Sequence, residues 1–280
     1  MLRQIHAYVA LTHPWAVLIV MIATALFGML AGGWEPPLDR FLLMLAGMLG
    51  GQIAIGATNE WFDRLADAQD KPHRPIPSGG VSPAGALRLA WFGLMLMTVA
   101  GAMLGVPELI LLASGTGAGL LYNAGLKRTP LSWMPYLLAL PLLPVWVWIV
   151  IDELRFELLW LYPLGAAFVL AIHLAQTLPD IAGDDRRGEH GIAVVVGRQR
   201  AILLIWLAAS GSVVAVVVGS WLLGGHLLPA LIAAAVVGII LVVAIAAMRR
   251  VPDRVQPHLF KVLTTSAVIL AAGWIMSVTG

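Results

Sequence analysis

Long apolar runs separated by short polar segments dominate the chain. A transmembrane α-helix needs about 20 mostly apolar residues, and nine runs meet that requirement. The predicted spans are residues 13–33, 38–59, 84–105, 107–125, 131–151, 156–178, 200–223, 227–248 and 258–279. The pattern predicts an all-α integral membrane protein whose nine transmembrane helices form one bundle, with two pseudo-repeated four-helix halves plus one helix. We interpret residues 1–280 as a single polytopic domain.

The composition supports a lipid environment. Of the 280 residues, 60% are hydrophobic and only 11% are charged, whereas about 25% are charged in soluble domains. The chain has no cysteine, which excludes disulfides and thiolate metal ligands. Its net charge of +2 could suggest an anionic partner, but in a membrane protein basic residues mainly indicate the topology. We therefore expect the lipid bilayer, and no nucleic acid, among its partners.

Lysine and arginine are divided unequally between the two sides of the predicted bundle. Fifteen of the 17 basic residues lie at the N-terminus or in the loops of one side, and only Arg40 and Arg155 lie on the other. Positively charged loops remain in the cytoplasm. We predict a multi-pass protein of the cell membrane whose N-terminus and two long polar loops are cytoplasmic.

Two rows of oxygen-bearing side chains stand at four-residue spacing, each near the cytoplasmic end of a predicted span. The first row is Asn59, Asp63 and Asp67, and the second is Gln176, Asp180 and Asp184. Residues at that spacing share one face of a helix. Neighbouring carboxylates repel each other unless a cation offsets the charge, and Mg²⁺ prefers oxygen ligands. We expect the two rows to face each other as one site.

The donor types favour a particular ligand. Two facing carboxylate pairs are typical of a binuclear Mg²⁺ site with a diphosphate between the metals. Asp63, Asp67, Asp180 and Asp184 supply the four carboxylates of such a site, and the amides of Asn59 and Gln176 add neutral oxygens. Lys71 and Arg74 follow the first row and are placed to bind phosphate oxygens.

The location of this site favours a substrate with a charged head and an apolar tail. A polyprenyl diphosphate is such a molecule, and the expected chemistry is ionisation of its allylic carbon–oxygen bond, followed by capture of the carbocation by an acceptor. His173 and Gln176 share a helix face with Asp180. We expect both in substrate binding, with packing as the alternative role for His173.

Three segments resemble signatures of the UbiA superfamily of intramembrane prenyltransferases. NEWFDRLADAQDKPHRPIPSG resembles its first signature, DIAGDDRRGEHG its second, and LYNAGLKRTP its tyrosine-to-lysine motif. The resemblance implies a membrane prenyltransferase that uses Mg²⁺ and transfers a prenyl group to a small-molecule acceptor. It also implies that Mg²⁺ and the diphosphate are bound by five residues, of which the four aspartates are catalytic: Asn59, Asp63, Asp67, Asp180 and Asp184. The resemblance further implies that Lys127 and Arg128 assist the diphosphate and that Tyr122 is catalytic, beside the reacting carbon. For the acceptor we favour an aromatic ring of the lipoquinone type.

Two other functions remain open from the sequence. A terpene cyclase of the same superfamily would perform the same ionisation and close the carbocation on itself without an acceptor. An ion or metabolite transporter is a candidate from another class, because acidic residues in repeated membrane segments also mark transport paths. Against transport, both rows lie at one predicted membrane face instead of the midplane.

Overall fold

The computed structural model describes the backbone of residues 2–279 and the side chains of residues 4–279. Within those residues every regular element is a helix. The thirteen α-helices are α1 (Leu2–Leu11), α2 (Pro14–Ala31), α3 (Leu38–Asp70), α4 (Pro83–Leu104), α5 (Val106–Ala124), α6 (Met134–Ile151), α7 (Leu161–Thr177), α8 (Ile181–Arg186), α9 (Ile192–Val196), α10 (Arg198–Leu222), α11 (Leu227–Arg250), α12 (Pro252–Val255) and α13 (Leu259–Thr279). Three short 3₁₀-helices occupy Leu126–Arg128, Phe156–Trp160 and Gln256–His258.

Eight helical segments of the described chain are long and apolar enough to cross a membrane. They correspond to eight of the nine predicted spans. The remaining one, predicted at 107–125, is the 19-residue helix α5, which is less apolar because it contains Glu108, Asn123 and three glycines. The all-helical membrane fold is confirmed, whereas the count of nine spans stays a prediction.

Helix α3 is much longer than the span predicted for it. It has 33 residues, which corresponds to about 50 Å at the usual rise of an α-helix. The hydrocarbon core of a bilayer is only about 30 Å thick. The helix must therefore project beyond that core, and its polar C-terminal part carries the first acidic row.

The chain divides into two compact units. The first consists of residues 1–126 and 142–154, and the second of residues 127–141 and 155–280. In the first unit, α3 packs against α2, α4 and α5. In the second, α7, α10, α11 and α13 surround a continuous apolar core that includes Ile172, Ile205 and Leu263. The single domain and the pseudo-repeat stay predictions.

Helices α3 and α4 approach each other closely at Gly50 and Gly93. A Cβ atom added at Gly50 would lie 2.5 Å from the Met97 nitrogen and 2.6 Å from the Gly93 oxygen. A Cβ atom added at Gly93 would meet the Gly50 oxygen at 2.6 Å. Small residues let membrane helices pack with their backbones in contact, and here both positions must be glycine.

We expect Gly50→Ala to destabilise the protein by about 1–3 kcal/mol or more, because the added methyl group meets backbone atoms that cannot move independently. The measurement is the unfolding midpoint in detergent micelles. Gly117→Ala is the matched control, since no heavy atom lies within 4 Å of its ideal Cβ position. Equal midpoints for the two variants would contradict the close packing of α3 against α4.

Candidate active site

The first acidic row lies on the last turns of one continuous helix, α3. Asn59 and Asp63 are half-buried and Asp67 is 8% exposed. The helix ends at Asp70, and no basic residue lies in its last turn. The C-terminus of a helix carries partial negative charge, so it repels carboxylates at this end. The carboxylates of the row also repel each other. A cation bound at this row would offset both.

Three side chains next to the row form a polar network within the first unit. Glu60 Oε1 accepts a hydrogen bond from a terminal nitrogen of Arg74 at 2.8 Å and lies 3.3 Å from His13 Nε2. Arg74, predicted to bind phosphate, thus pairs with a carboxylate of this chain. Sequence reasoning missed His13 and Glu60, although Glu60 directly follows Asn59 and His13 directly precedes Pro14 at the start of α2.

Tyr122 lies at the last turn of α5 and is 9% exposed. The next residue, Asn123, donates through Nδ2 to the Ile55 carbonyl at 2.8 Å and to the Thr58 hydroxyl at 2.9 Å. Thr58 immediately precedes Asn59. The end of α5 that carries Tyr122 is therefore attached to α3 directly before the first acidic row.

The second row differs from the prediction because it does not lie on one helix. Helix α7 ends at Thr177, Pro179 interrupts the helical backbone, and α8 begins at Ile181. Gln176 is on α7, whereas Asp180 is the residue before α8 and its carbonyl accepts the Asp184 N–H at 2.9 Å. Proline cannot donate the helical hydrogen bond and often ends a helix. Asp180 and Asp184 therefore share a turn, but the expectation that they lie on one helix with Gln176 and His173 is wrong.

Asp184 lies in a strongly charged part of the second unit. Burial raises the pKa of its carboxyl to about 6, and the negative charges of Glu189 and Asp180 act in the same direction. Arg187 opposes this through a 2.5 Å contact with Asp184 Oδ1 and also lies 3.2 Å from Glu189. The local charge favours further cations near Asp184.

Arg128 and Lys127 belong to a loop that contacts the segment after α8. The carbonyl of Arg128 accepts the His190 N–H at 3.0 Å, and its guanidinium lies 3.5 Å from Glu189 Oε1. A Cβ atom added at Gly191 would lie 3.1 Å from the Lys127 oxygen. Lys127 and Arg128 are thus attached to the loop of the second acidic row, although the sequence places them more than fifty residues apart.

His173 is completely buried on α7, where its Nε2 lies 2.9 Å from the Ser132 hydroxyl. The same hydroxyl accepts the Ile192 N–H at 3.3 Å. One helical turn beyond His173, Gln176 Oε1 accepts a short hydrogen bond from the Tyr136 hydroxyl. Both residues predicted to bind substrate therefore connect α7 to neighbouring segments of the second unit, which corresponds to the packing alternative for His173.

We expect Ser132→Ala to lower stability by about 1–3 kcal/mol, because one buried and one partly buried polar group lose their common partner. Those groups are His173 Nε2 and the Ile192 N–H. The measurement is the unfolding midpoint in micelles, with Ser114→Ala as the control, since the Ser114 hydroxyl bonds only a carbonyl of its own helix in an exposed position. Ser132→Thr would retain the hydroxyl, so equal losses in the Ala and Thr variants would contradict the hydrogen-bond explanation.

The donor set suits Mg²⁺. Each acidic row offers only carboxylate and amide oxygens, which are the ligands of a hard divalent cation. Among the described residues, no three His, Asp or Glu side chains lie close enough together to hold a metal ion. Mg²⁺ commonly uses only one or two carboxylates and takes its other ligands from water and substrate phosphates. The residues present therefore fit Mg²⁺ as part of a metal–diphosphate complex.

Known proteins resemble this chain over different shares of its length. A digeranylgeranylglyceryl phosphate synthase of Methanoregula boonei is 28% identical over 233 residues, covering 79% of this chain and 81% of that protein. A protoheme IX farnesyltransferase of Salinispora tropica is 39% identical over 133 residues, covering 44% of this chain and 40% of that protein. The second similarity thus spans less than half of the relative.

A solved structure has the same fold. A UbiA homologue from Archaeoglobus fulgidus, bound to GPP and Mg²⁺, superposes with a TM-score of 0.74 over 97% of this chain and 100% of that one, at 16% sequence identity. The UbiA prenyltransferase family model matches residues 19–276. The chain therefore belongs to the UbiA prenyltransferase family, which confirms both the resemblance and the enzyme class expected from its motifs.

Proposed function

We propose that this protein transfers a prenyl group from a polyprenyl diphosphate to a small-molecule acceptor in a reaction that requires Mg²⁺. The observation that carries the proposal is the first acidic row, held at the projecting end of α3 with a half-buried Arg74 beside it. The Archaeoglobus fulgidus homologue, which binds GPP and Mg²⁺, supports the same ligands for this chain.

Asn59, Asp63 and Asp67 would hold Mg²⁺ on the first row, and Asp180 and Asp184 would do so on the second. The metal would supply positive charge to the departing diphosphate. Lys71, Lys127 and Arg128 would contact phosphate oxygens that the metal leaves uncovered. Basic side chains are needed because the acidic rows alone repel a diphosphate.

In the reaction, the bond between the allylic carbon and the diphosphate oxygen breaks, and its electron pair leaves with the diphosphate. The acceptor donates an electron pair to the carbocation, a new bond forms, and the acceptor loses a proton. Tyr122 at the end of α5 would stabilise the cation with its ring, an interaction worth about 0.5–2 kcal/mol. Apolar surroundings exclude water, which would otherwise capture the cation.

For the acceptor, we propose an aromatic ring of the lipoquinone type. A glyceryl phosphate is the second candidate, favoured by the Methanoregula boonei relative, whose similarity covers most of both chains. The two acceptors differ in the nucleophilic atom, a ring carbon in one case and a hydroxyl oxygen in the other.

For the location, we propose the cell membrane with the N-terminus and both acidic rows on the cytoplasmic side. The proposal is supported by the concentration of lysine and arginine in one set of loops. Cysteines introduced at Asp70 and at Glu35 would report the topology, since the native chain has none. A membrane-impermeant thiol reagent added to intact cells should label the Glu35→Cys variant and leave the Asp70→Cys variant unlabelled.

The experiment that tests the function uses purified protein in micelles with geranylgeranyl diphosphate, Mg²⁺ and a panel of acceptors. We expect diphosphate release to require Mg²⁺ and the product mass to equal the acceptor plus one prenyl group. A cyclic hydrocarbon as the main product without acceptor would identify a cyclase instead. No release with any prenyl diphosphate would overturn the proposed function.

A further inference from the structure

One side of helix α11 is exposed and apolar along almost its whole length, while the other side packs against α10 and α13. Exposed apolar residues recur at every third or fourth position, namely Leu228, Ile232, Ala235, Ile239, Val242 and Ala246. From the first to the last of them the helix rises about 27 Å. The hydrocarbon core of a bilayer is about 30 Å thick. This side of α11 therefore faces the acyl chains of lipids.

Two arginines continue the same side of α11 beyond its apolar part. Arg249 and Arg250 follow Ala246 by three and four residues, both are exposed, and both lie in the last turn of the helix. Residues at that spacing share one helix face. The two arginines therefore lie on the lipid-facing side, at the level where the hydrocarbon core ends and the phospholipid headgroups begin.

The chain turns directly after α11 and adds a third arginine. The Arg254 N–H donates to the Val251 carbonyl at 3.0 Å, which keeps Arg254 within one tight turn of the end of α11. Arg249, Arg250 and Arg254 form the basic patch. Asp253 is the one acidic residue between positions 249 and 261, so the segment has a clear excess of positive charge.

The arginines of the basic patch differ in their pairing from those near the acidic rows. No ion pair or side-chain hydrogen bond joins any of the three to the part of the chain that the structure describes. Arg74, Arg128 and Arg187, by contrast, each pair with a carboxylate. The donors of the basic patch are therefore available to an anion, and guanidinium groups bind phosphate well.

Contacts of Arg198 show at which end of the second unit the basic patch lies. Its guanidinium donates to the side chain of Gln256, two residues after Arg254. It also donates to the Leu178 carbonyl at 3.5 Å, and Leu178 is two residues before Asp180. The basic patch is thus at the end of the second unit that carries the second acidic row.

We propose that the basic patch binds the headgroup of an anionic phospholipid whose acyl chains lie along the exposed side of α11. The two parts of such a lipid match the two parts of this surface, since the phosphate meets unpaired guanidinium groups and the acyl chains meet apolar side chains. Basic residues directly beside a transmembrane helix attract anionic lipids. Phosphatidylcholine matches less well because its choline group adds a positive charge beside the phosphate.

The test places one fluorophore on the exposed side of α11 in the full-length protein. The native chain has no cysteine, so A246C can carry a single thiol-linked bimane next to the basic patch. The protein is reconstituted in phosphatidylcholine vesicles with a rising fraction of phosphatidylglycerol or phosphatidylcholine that bears a nitroxide quencher on an acyl chain. We expect half-maximal quenching at a fraction at least about 10-fold lower for phosphatidylglycerol, because each basic residue contributes about fivefold. Equal fractions would overturn the proposal.

Removing the basic patch should remove this preference. We expect R249Q/R250Q/R254Q, in the A246C background, to be quenched equally by both lipids. R250Q alone should lower the preference by about fivefold, and it decides the question if the triple variant fails to fold. The control is R88Q, which removes one exposed arginine of α4 and should keep the wild-type preference. A preference that survives in the triple variant, or that falls as much in R88Q as in R250Q, would overturn the proposal.

Two further measurements distinguish a lipid site from general attraction of anions. I232C lies on the same side of α11 near its other end, and a bimane there should show no preference for phosphatidylglycerol. A preference equal to that at A246C would overturn a site at the basic patch. Unlabelled phosphatidylglycerol should reverse the excess quenching at A246C. Reversal by inorganic phosphate at the same concentration would identify a site for free phosphate and overturn the assignment to a phospholipid.

Discussion

Asp63→Asn is expected to abolish Mg²⁺-dependent release of diphosphate while leaving the protein folded. Asp63 is the central member of the first acidic row and is half-buried on α3. The substitution keeps the size and one oxygen, but it removes the negative charge that would hold the metal against the diphosphate. We expect a loss of at least about 100-fold in kcat, the lower range for losing one electrostatic partner of a transition state.

The control for this variant is Asp39→Asn, the same chemical change on the exposed first turn of the same helix. We expect this control to keep full activity. Asp180→Asn should lose as much activity as Asp63→Asn, because the second row would also supply carboxylates to the metal that the diphosphate needs. Unfolding midpoints should differ little among the three variants. Turnover by Asp63→Asn within about threefold of the wild-type rate would remove Asp63 from the site.

The parts of the fold that depend on local sequence were predictable. Apolar runs located the long helices because a span needs about 20 such residues, and four-residue spacing placed Asn59, Asp63 and Asp67 on one helix. The length of α3 was underestimated because hydropathy marks where the apolar part ends and not where the helix ends. The helix continues to Asp70 because the residues after Asn59 form helices well in water.

The break between α7 and α8 within the second row had a local signal in the sequence, which four-residue spacing alone does not take into account. Pro179 lies between Gln176 and Asp180, and proline interrupts helices. The contacts of Glu60 had no such signal. Its partners His13 and Arg74 are 47 and 14 residues away in the sequence, and the turn that carries His13 reaches Glu60 by tertiary packing of Thr12 on Gly56. Contacts between residues so far apart in the chain produce no regular spacing in a single sequence, so they could not be predicted from it.

Arg40 is one of only two basic residues that the topology prediction places on the external side, and the structure gives it a partner. Its guanidinium lies 2.8 Å from Glu108 Oε1 and donates to the Val150 carbonyl near the end of α6. The Glu108 carbonyl accepts the indole N–H of Trp146 at 2.9 Å. One ion pair thus connects α3, α5 and the last turn of α6, whose carbonyl groups have no partners within the helix.

We expect Glu108→Leu to destabilise the protein by about 3 kcal/mol, the lower end of the range for breaking a buried pair, because Arg40 keeps some access to its surroundings. The Glu108 side chain is 11% exposed and that of Arg40 is 35% exposed. The measurement is unfolding in micelles, with Glu35→Leu as the control at an exposed position.

The double variant Arg40→Met/Glu108→Leu should be more stable than Glu108→Leu alone, because the cost arises from the unpaired charge that remains and not from the loss of the pair itself. Replacing a buried pair by apolar side chains is often neutral, and an apolar environment around the helices favours that outcome further. If the two substitutions instead lower the unfolding midpoint additively, the two side chains act independently, and the pair does not hold α3, α5 and α6 together.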